Sequence, residues 1–147
     1  MTVVEFSIEV EAPPERVWEI TSDPRNLPHW DRHIVGVRLP LGGLAPGAGY
    51  EVTMGFMAIR ARIGARVLEW EPPWRAKVHL AGFLDAVVTT SVASLPRDRS
   101  LLRQEVDYRF RGPLGGFGAA SLNAVGGAQL ALKHGVLAQK RECERAG

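Results

Sequence analysis

The chain has 147 residues, of which 46% are hydrophobic, 23% charged and 7% aromatic, with 18 Lys and Arg against 16 Asp and Glu. These proportions fit one folded domain spanning 1–147 and exclude a disordered chain, while a net charge of +2 is too small for a protein that grips polyanions, so no nucleic-acid partner is expected. The single cysteine excludes an intrachain disulfide and a cysteine-rich zinc site.

The N-terminal residues Met-Thr-Val-Val-Glu-Phe lack a basic region followed by an apolar stretch. No uncharged apolar run approaches the ~20 residues of a membrane span, so the expectation is a cytoplasmic protein without membrane insertion. Residues 3–11 alternate, with Val4, Phe6, Ile8 and Val10 against Glu5, Ser7, Glu9 and Glu11, which predicts a half-buried strand. Pro13 and Pro14 end it, and Pro14-Glu15 suits the first turn of a helix. Val17, Trp18, Ile20 and Thr21 supply one apolar face for that helix, and Asn26–Trp30 predicts a second short one.

From His33 onward the pattern is one of strands: His33–Leu39, Tyr50–Phe56, Ile59–Val67, Trp74–Phe83, Ala86–Leu95 and Leu101–Phe110. Short turns join most of them and favour antiparallel neighbours. Glycines at 112, 115, 116 and 118 break the run. A long helix is then expected from about Ala119 to Arg141, with Leu122, Val125, Leu132 and Val136 in one stripe and Gln129 and Lys133 inside the same arc. This order predicts an α+β architecture: two short helices after the first strand, and a curved antiparallel sheet of about seven strands around a long C-terminal helix. A sheet curled in this way leaves room for an apolar cavity where its lining is small, as at Ala61, Ala65, Ala76 and Gly82.

The segment Ile8-Glu9-Val10-Glu11-Ala12-Pro13-Pro14-Glu15-Arg16-Val17-Trp18 resembles the opening of the START-like, or Bet v 1-like (SRPBCC), superfamily. Its continuation, Thr21-Ser22-Asp23-Pro24 through Leu27-Pro28-His29-Trp30, and the Gly112-Pro113-Leu114-Gly115 entry to the last helix carry the same resemblance. Within that superfamily the chain is most similar to the polyketide cyclase/dehydrase and lipid-transport group. The resemblance implies a helix-grip fold with a hydrophobic pocket between sheet and last helix. In aromatase/cyclase members an arginine on the strand matching Ile59–Val67 handles a polyketide carbonyl, and Arg66 is the nearest match. Strand parity, however, puts Arg66 with Arg60 and Arg62 on the face opposite Ile59, Ile63 and Val67.

Arg60, Arg62 and Arg66, with Arg75, Lys77 and His79 on the next strand, read first as a solvated outer face. An anion-binding or carrier-protein docking patch is the alternative. Gln104 and Tyr108 share the apolar face of Leu102, Val106 and Phe110, where they either satisfy each other and the backbone or orient a ligand's oxygen. Trp30, Tyr50, Met54 and Phe56, with Ile63, Val78, Leu122 and Gln129, complete the expected ligand contacts. His29, His33, His79 and His134 form no metal-ligand spacing, and no cofactor fingerprint is present, so neither metal nor cofactor is expected. Cys143, in a charged tail, reads as an incidental exposed residue.

The leading expectation is binding or transport of a hydrophobic small molecule, such as a lipid, polyketide or isoprenoid. A polyketide aromatase/cyclase or dehydratase is the alternative, with Arg66, Tyr108 and His33 as its catalytic candidates. A protein-interaction accessory module, with a homodimer or carrier-protein contact, is the third reading.

Overall fold

The computed structural model describes residues 2–56, 58–110 and 127–145. Seven strands form one antiparallel sheet: β1 Thr2–Val10, β2 Ile34–Arg38, β3 Gly49–Phe56, β4 Ile59–Glu71, β5 Arg75–Ala81, β6 Leu84–Leu95 and β7 Arg99–Phe110. Their order across the sheet is β1-β7-β6-β5-β4-β3-β2, so β2 to β7 meander and β1 closes against the last strand. Between β1 and β2 lie α1 (Pro14–Thr21), a 3-10 turn (Pro24–Asn26) and the short α2 (Leu27–Trp30). The C-terminal helix, α3, is described from Gly127 to Arg145, past the expected end at Arg141.

Local chemistry accounts for these elements. Pro14 opens α1, where its missing N–H costs nothing, and Glu15 follows in the first turn. The α1 residues Val17, Trp18 and Thr21 face inward at i, i+1 and i+4, and the Ser22 N–H closes the helix on the Trp18 carbonyl. In β4 the buried positions alternate through Ile63, Ala65 and Val67. The alternation then changes phase, because β4 and β5 shift register between Val67 and Glu69. The extra residue, Leu68, points outward, and Trp70 rather than Glu69 faces inward, opposite Ala76. The strand therefore runs four residues past the expected end at Val67. Ile59, expected on the inner face, is 70% exposed, at the hairpin end of the strand.

The solid core lies at the β1–β7–β6 end of the sheet. Val10, Val17, Trp18, Val92, Leu102, Val136 and Cys143 pack there, with Leu132 against them. Helix α3 thus buries Val136, Gln139 and Cys143 along one side, while Lys133 and Leu130 are exposed. Leu122 and Val125 lie outside the described residues. Cys143 is 0% exposed, contrary to its expected place in a solvated tail. Burial pushes its thiol up to about 11.

Helix α3 is also fastened to the edge of the sheet. Edge strand β1 would leave carbonyl groups unpaired. The Gln129 Nε2 donates to the Glu5 carbonyl at 2.9 Å, and Lys140 Nζ to the Glu9 carbonyl at 2.8 Å. Near the helix end, Arg16 Nε donates to the Cys143 carbonyl at 2.8 Å, where a cation suits the helix dipole. Glu144 Oε2 accepts both from Lys140 Nζ and from the Glu11 N–H, each at 2.8 Å.

Candidate functional site

Away from the core, the concave side of β3–β6 and the α1–α2 segment line a cavity of about 260 Å³. The sheet contributes Tyr50, Val52 and Met54 from β3, Ile63, Val67 and Trp70 from β4, and Ala76, Val78 and Leu80 from β5. Leu84, Val88, Thr90 and Val106 extend the wall across β6 and β7, while Thr21, Ser22, Pro24, Leu27 and Asp31 cover it. Alternate residues of each strand reach one face, which explains why so many aliphatic side chains converge here.

Trp70 divides cavity from core. It lines the cavity and meets Trp18 edge to face, with ring centroids 5.1 Å apart at 64°. Among the described residues, polar groups on the wall are few: Thr21, Ser22, Asp31, Thr90 and the Tyr50 hydroxyl. Thr21 Oγ1 donates back to the Val17 carbonyl at 2.8 Å, and Asp31 Oδ1 accepts from the His33 N–H at 2.8 Å. Burial pushes the Tyr50 phenol up to about 12, so it stays protonated near neutral pH. Thr90 Oγ1 donates to Gln104 Oε1 at 2.7 Å, and Gln104 Nε2 donates to Gln139 Oε1 at 3.2 Å. That buried chain fixes Thr90 from behind and ties the wall to α3.

Of the expected contacts, Tyr50, Met54, Ile63 and Val78 line this cavity. Gln104 does not; it stands behind Thr90 and is satisfied by two neighbours. Tyr108 is buried further along β7, opposite Ala86 and Thr2, and is absent from the lining. Gln129 is exposed and bound to β1, because edge carbonyls there need donors. Trp30 is not in the described lining; its carbonyl lies 3.4 Å from where a Cβ on Gly135 would sit, at the contact of α2 with α3. Its indole N–H is buried without a partner among the described residues. Leu122 and the side chain of Phe56 lie outside the described residues.

The catalytic candidates are placed elsewhere. Arg66 is exposed on the outer face, where its Nη1 donates to the Gly47 carbonyl at 3.3 Å. The bulge that changes the strand's parity comes after it, at Leu68, and so does not turn it inward. His33 and Tyr108 do not line the cavity. Of the small residues expected to shape it, only Ala76 is in the lining; Gly82 instead lets β4 approach, with the Arg62 carbonyl 3.3 Å from a would-be Cβ. Among the described residues the cavity is roofed by α1 and α2, and the described part of α3 supplies no wall residue.

Sequence reasoning missed Trp70, Thr90 and Asp31. The bulge hid Trp70, whereas the even-numbered alternation shared with Val88 and Ala86 marks Thr90 as inward-facing. Among the described residues no group of three or more His, Cys, Asp or Glu could hold a metal ion. No described helix is long and apolar enough to cross a membrane.

A family model described as polyketide cyclase / dehydrase and lipid transport matches residues 1–140. No protein with a curated description matches the chain by sequence. Among solved structures, a Thermus thermophilus protein is similar at 15% identity and TM-score 0.78, with 99% of each chain covered. A START superfamily protein from Mycobacterium smegmatis is similar at 19% identity and TM-score 0.75, again over 99% of each chain. The Zhui aromatase/cyclase of a Streptomyces species is similar at 14% identity and TM-score 0.71, covering 99% of this chain and 98% of that one. At these identities the likeness is one of fold, the helix-grip arrangement of a curved sheet and a long last helix.

Proposed function

The chain belongs to the polyketide cyclase/dehydrase and lipid-transport family, and from that premise we propose that it binds a compact hydrophobic molecule in its internal cavity. The observation that carries this reading is the wall itself: aliphatic and aromatic over most of its area, with polar groups confined to a few positions. Removing an apolar ligand from water supplies the driving force, about 25 cal/mol per Å² buried. The polar positions then orient it. A volume of about 260 Å³ is near the lower end of small-molecule pockets, which start at ~300 Å³. One or two fused rings or a short acyl chain suit it better than a two-chain lipid.

Native mass spectrometry of the protein purified from cells, followed by organic extraction, tests this. A co-purifying apolar compound in one-to-one ratio supports the proposal. No adduct, together with no uptake from a panel of small aromatic ketones and fatty acids, contradicts it.

Cyclase or dehydrase chemistry is a second reading, favoured by Tyr50 on the sheet wall and Asp31 on the cover of the same cavity. A protonated phenol can donate to a ligand carbonyl, and a carboxylate can take the proton from the adjacent carbon. The expectation is that Tyr50→Phe keeps ligand binding and loses turnover of a β-keto thioester; equal turnover by both proteins removes this reading.

A further inference from the structure

A second hollow, open and about 530 Å³, lies on the opposite face of the sheet. Strand register defines it. Arg38, Glu51, Gly64 and Ala81 form one row across β2 to β5, and Gly49, Arg66 and His79 form the next. Arg38, Arg66 and His79, with Glu51 between Arg38 and Gly64, thus stand round a floor of Gly49, Gly64 and Ala81.

Nothing inside the molecule asks for that charge arrangement. Arg66 spends one N–H on the Gly47 carbonyl, which holds its guanidinium at the rim with its other donors free of described partners. Arg38 forms no ion pair among the described residues. Glu51, the one carboxylate of the lining, lies 3.8 Å from Arg62. His79 Nε2 is 2.6 Å from Asp85 Oδ1, and the other oxygen of Asp85 is 3.4 Å from Arg109 Nε, so that carboxylate is already matched. The lining therefore keeps an excess of positive charge over an exposed hollow.

The floor is equally unexplained by packing. Neither Gly49 nor Gly64 has a positive φ. A Cβ on Gly49 would meet the Ala65 carbonyl at 3.6 Å and one on Gly64 the Ala81 carbonyl at 3.8 Å, both ordinary contacts. Strand glycines that the backbone does not require leave space for something to lie close to it.

We propose that this hollow binds a small organic oxyanion, a phosphate monoester or carboxylate, held by Arg38 and Arg66 with its body over Gly49, Gly64 and Ala81. The two arginines stand two strands apart and two residues out of line, about 12 Å between their Cα atoms, a gap that their long side chains close around one anionic group. The hollow and the internal cavity meet at Tyr50, which lines both, but the proposal does not rest on the function proposed for the cavity.

Amide NMR titration with phenyl phosphate at constant low ionic strength tests the assignment, with inorganic phosphate as the comparison. Saturable shifts are expected at Gly49, Gly64 and Ala81, with phenyl phosphate binding more tightly than inorganic phosphate. Losing both donors in Arg38→Ala/Arg66→Ala weakens binding about tenfold or more. Gly64→Leu, an exposed substitution whose spectrum elsewhere reports an intact fold, weakens it to a similar degree by filling the hollow. Arg60→Ala/Lys77→Ala removes the same charge from the same face outside the lining, leaves Arg62 beside Glu51, and keeps affinity within about twofold. An equal loss in that control variant, equal binding of the two phosphates, or no saturable shift overturns the proposal.

Discussion

Trp70 meets Trp18 edge to face at 5.1 Å, and this pair stands between a filled core and the cavity. Trp18 belongs to the cluster around Val10, Leu102 and Val136, whereas Trp70 presents another side of its ring to the cavity. Replacing Trp70 with leucine removes the partition without adding a polar group. The cost is about 2–4 kcal/mol from lost contacts and added void. The enlarged cavity then admits ligands that the parent protein rejects, which thermal denaturation and ligand-uptake assays on the same variant measure together.

The Thr90–Gln104–Gln139 chain predicts a different kind of loss. Gln104→Leu keeps roughly the same volume but leaves Thr90 and Gln139 facing an apolar group. Each buried polar group stranded in this way costs about 1–3 kcal/mol. The triple variant Thr90→Val/Gln104→Leu/Gln139→Leu removes the polar atoms together and recovers most of that stability. Urea unfolding of single and triple variants checks the ordering.

Alkaline pH should weaken the fold ahead of most surface effects. Tyr50 and Cys143 both hold their protons more tightly in the folded chain than at their ordinary values of 10.0 and 9.0. Their contribution is therefore complete below about pH 9 and is lost as pH rises through about 11 for Cys143 and about 12 for Tyr50. Each group accounts for on the order of 2 kcal/mol. Tyrosinate absorbance in a Tyr108→Phe background follows Tyr50 directly, and a thiol reagent should leave Cys143 unmodified at pH 8 until the protein is unfolded.

On the acid side, Glu144 works in the opposite sense. The hydrogen bond from Lys140 and that from the Glu11 N–H hold its carboxyl below its ordinary 4.5. Its stabilisation is present above that value and disappears as pH falls through the lower folded one. Glu144→Gln is expected to reduce the change in melting temperature between pH 5 and pH 3, as scanning calorimetry at the two pH values shows.

Gly135 marks where α2 crosses α3. A Cβ there would lie 3.4 Å from the Trp30 carbonyl, so leucine forces α2 outward at a cost of about 1–3 kcal/mol. Because α2 helps to roof the cavity, the same variant should take up and release ligand faster. Stopped-flow exchange of a fluorescent ligand measures the rate.

Strand alternation made the sheet legible before any coordinates, since Val4-Phe6-Ile8-Val10 and Ile63-Ala65-Val67 can fold with only one side inward. Parity likewise placed Arg66 outside. What parity cannot anticipate is a phase change: Leu68 inserts one residue, and every inward position beyond it moves to the other parity, Trp70 included. Helix amphipathicity misled in another way. Gln129 shares the apolar arc by angle, but an open strand edge beside it offered the Glu5 carbonyl, and a long polar side chain reaches that sooner than a cavity. Cys143 sits among charged neighbours in sequence, yet it follows Val136 at i+7 and so falls on the buried side of the same helix.

The central claim is that the space beneath Trp70 takes up an apolar ligand. Equilibrium titration with 1-aminonaphthalene, compared between the parent protein and Val78→Trp, tests it most directly, because Val78 lies in the wall and an indole there fills the space. The account predicts saturable one-to-one binding to the parent and none to a folded Val78→Trp variant. Equal binding to both proteins would contradict it.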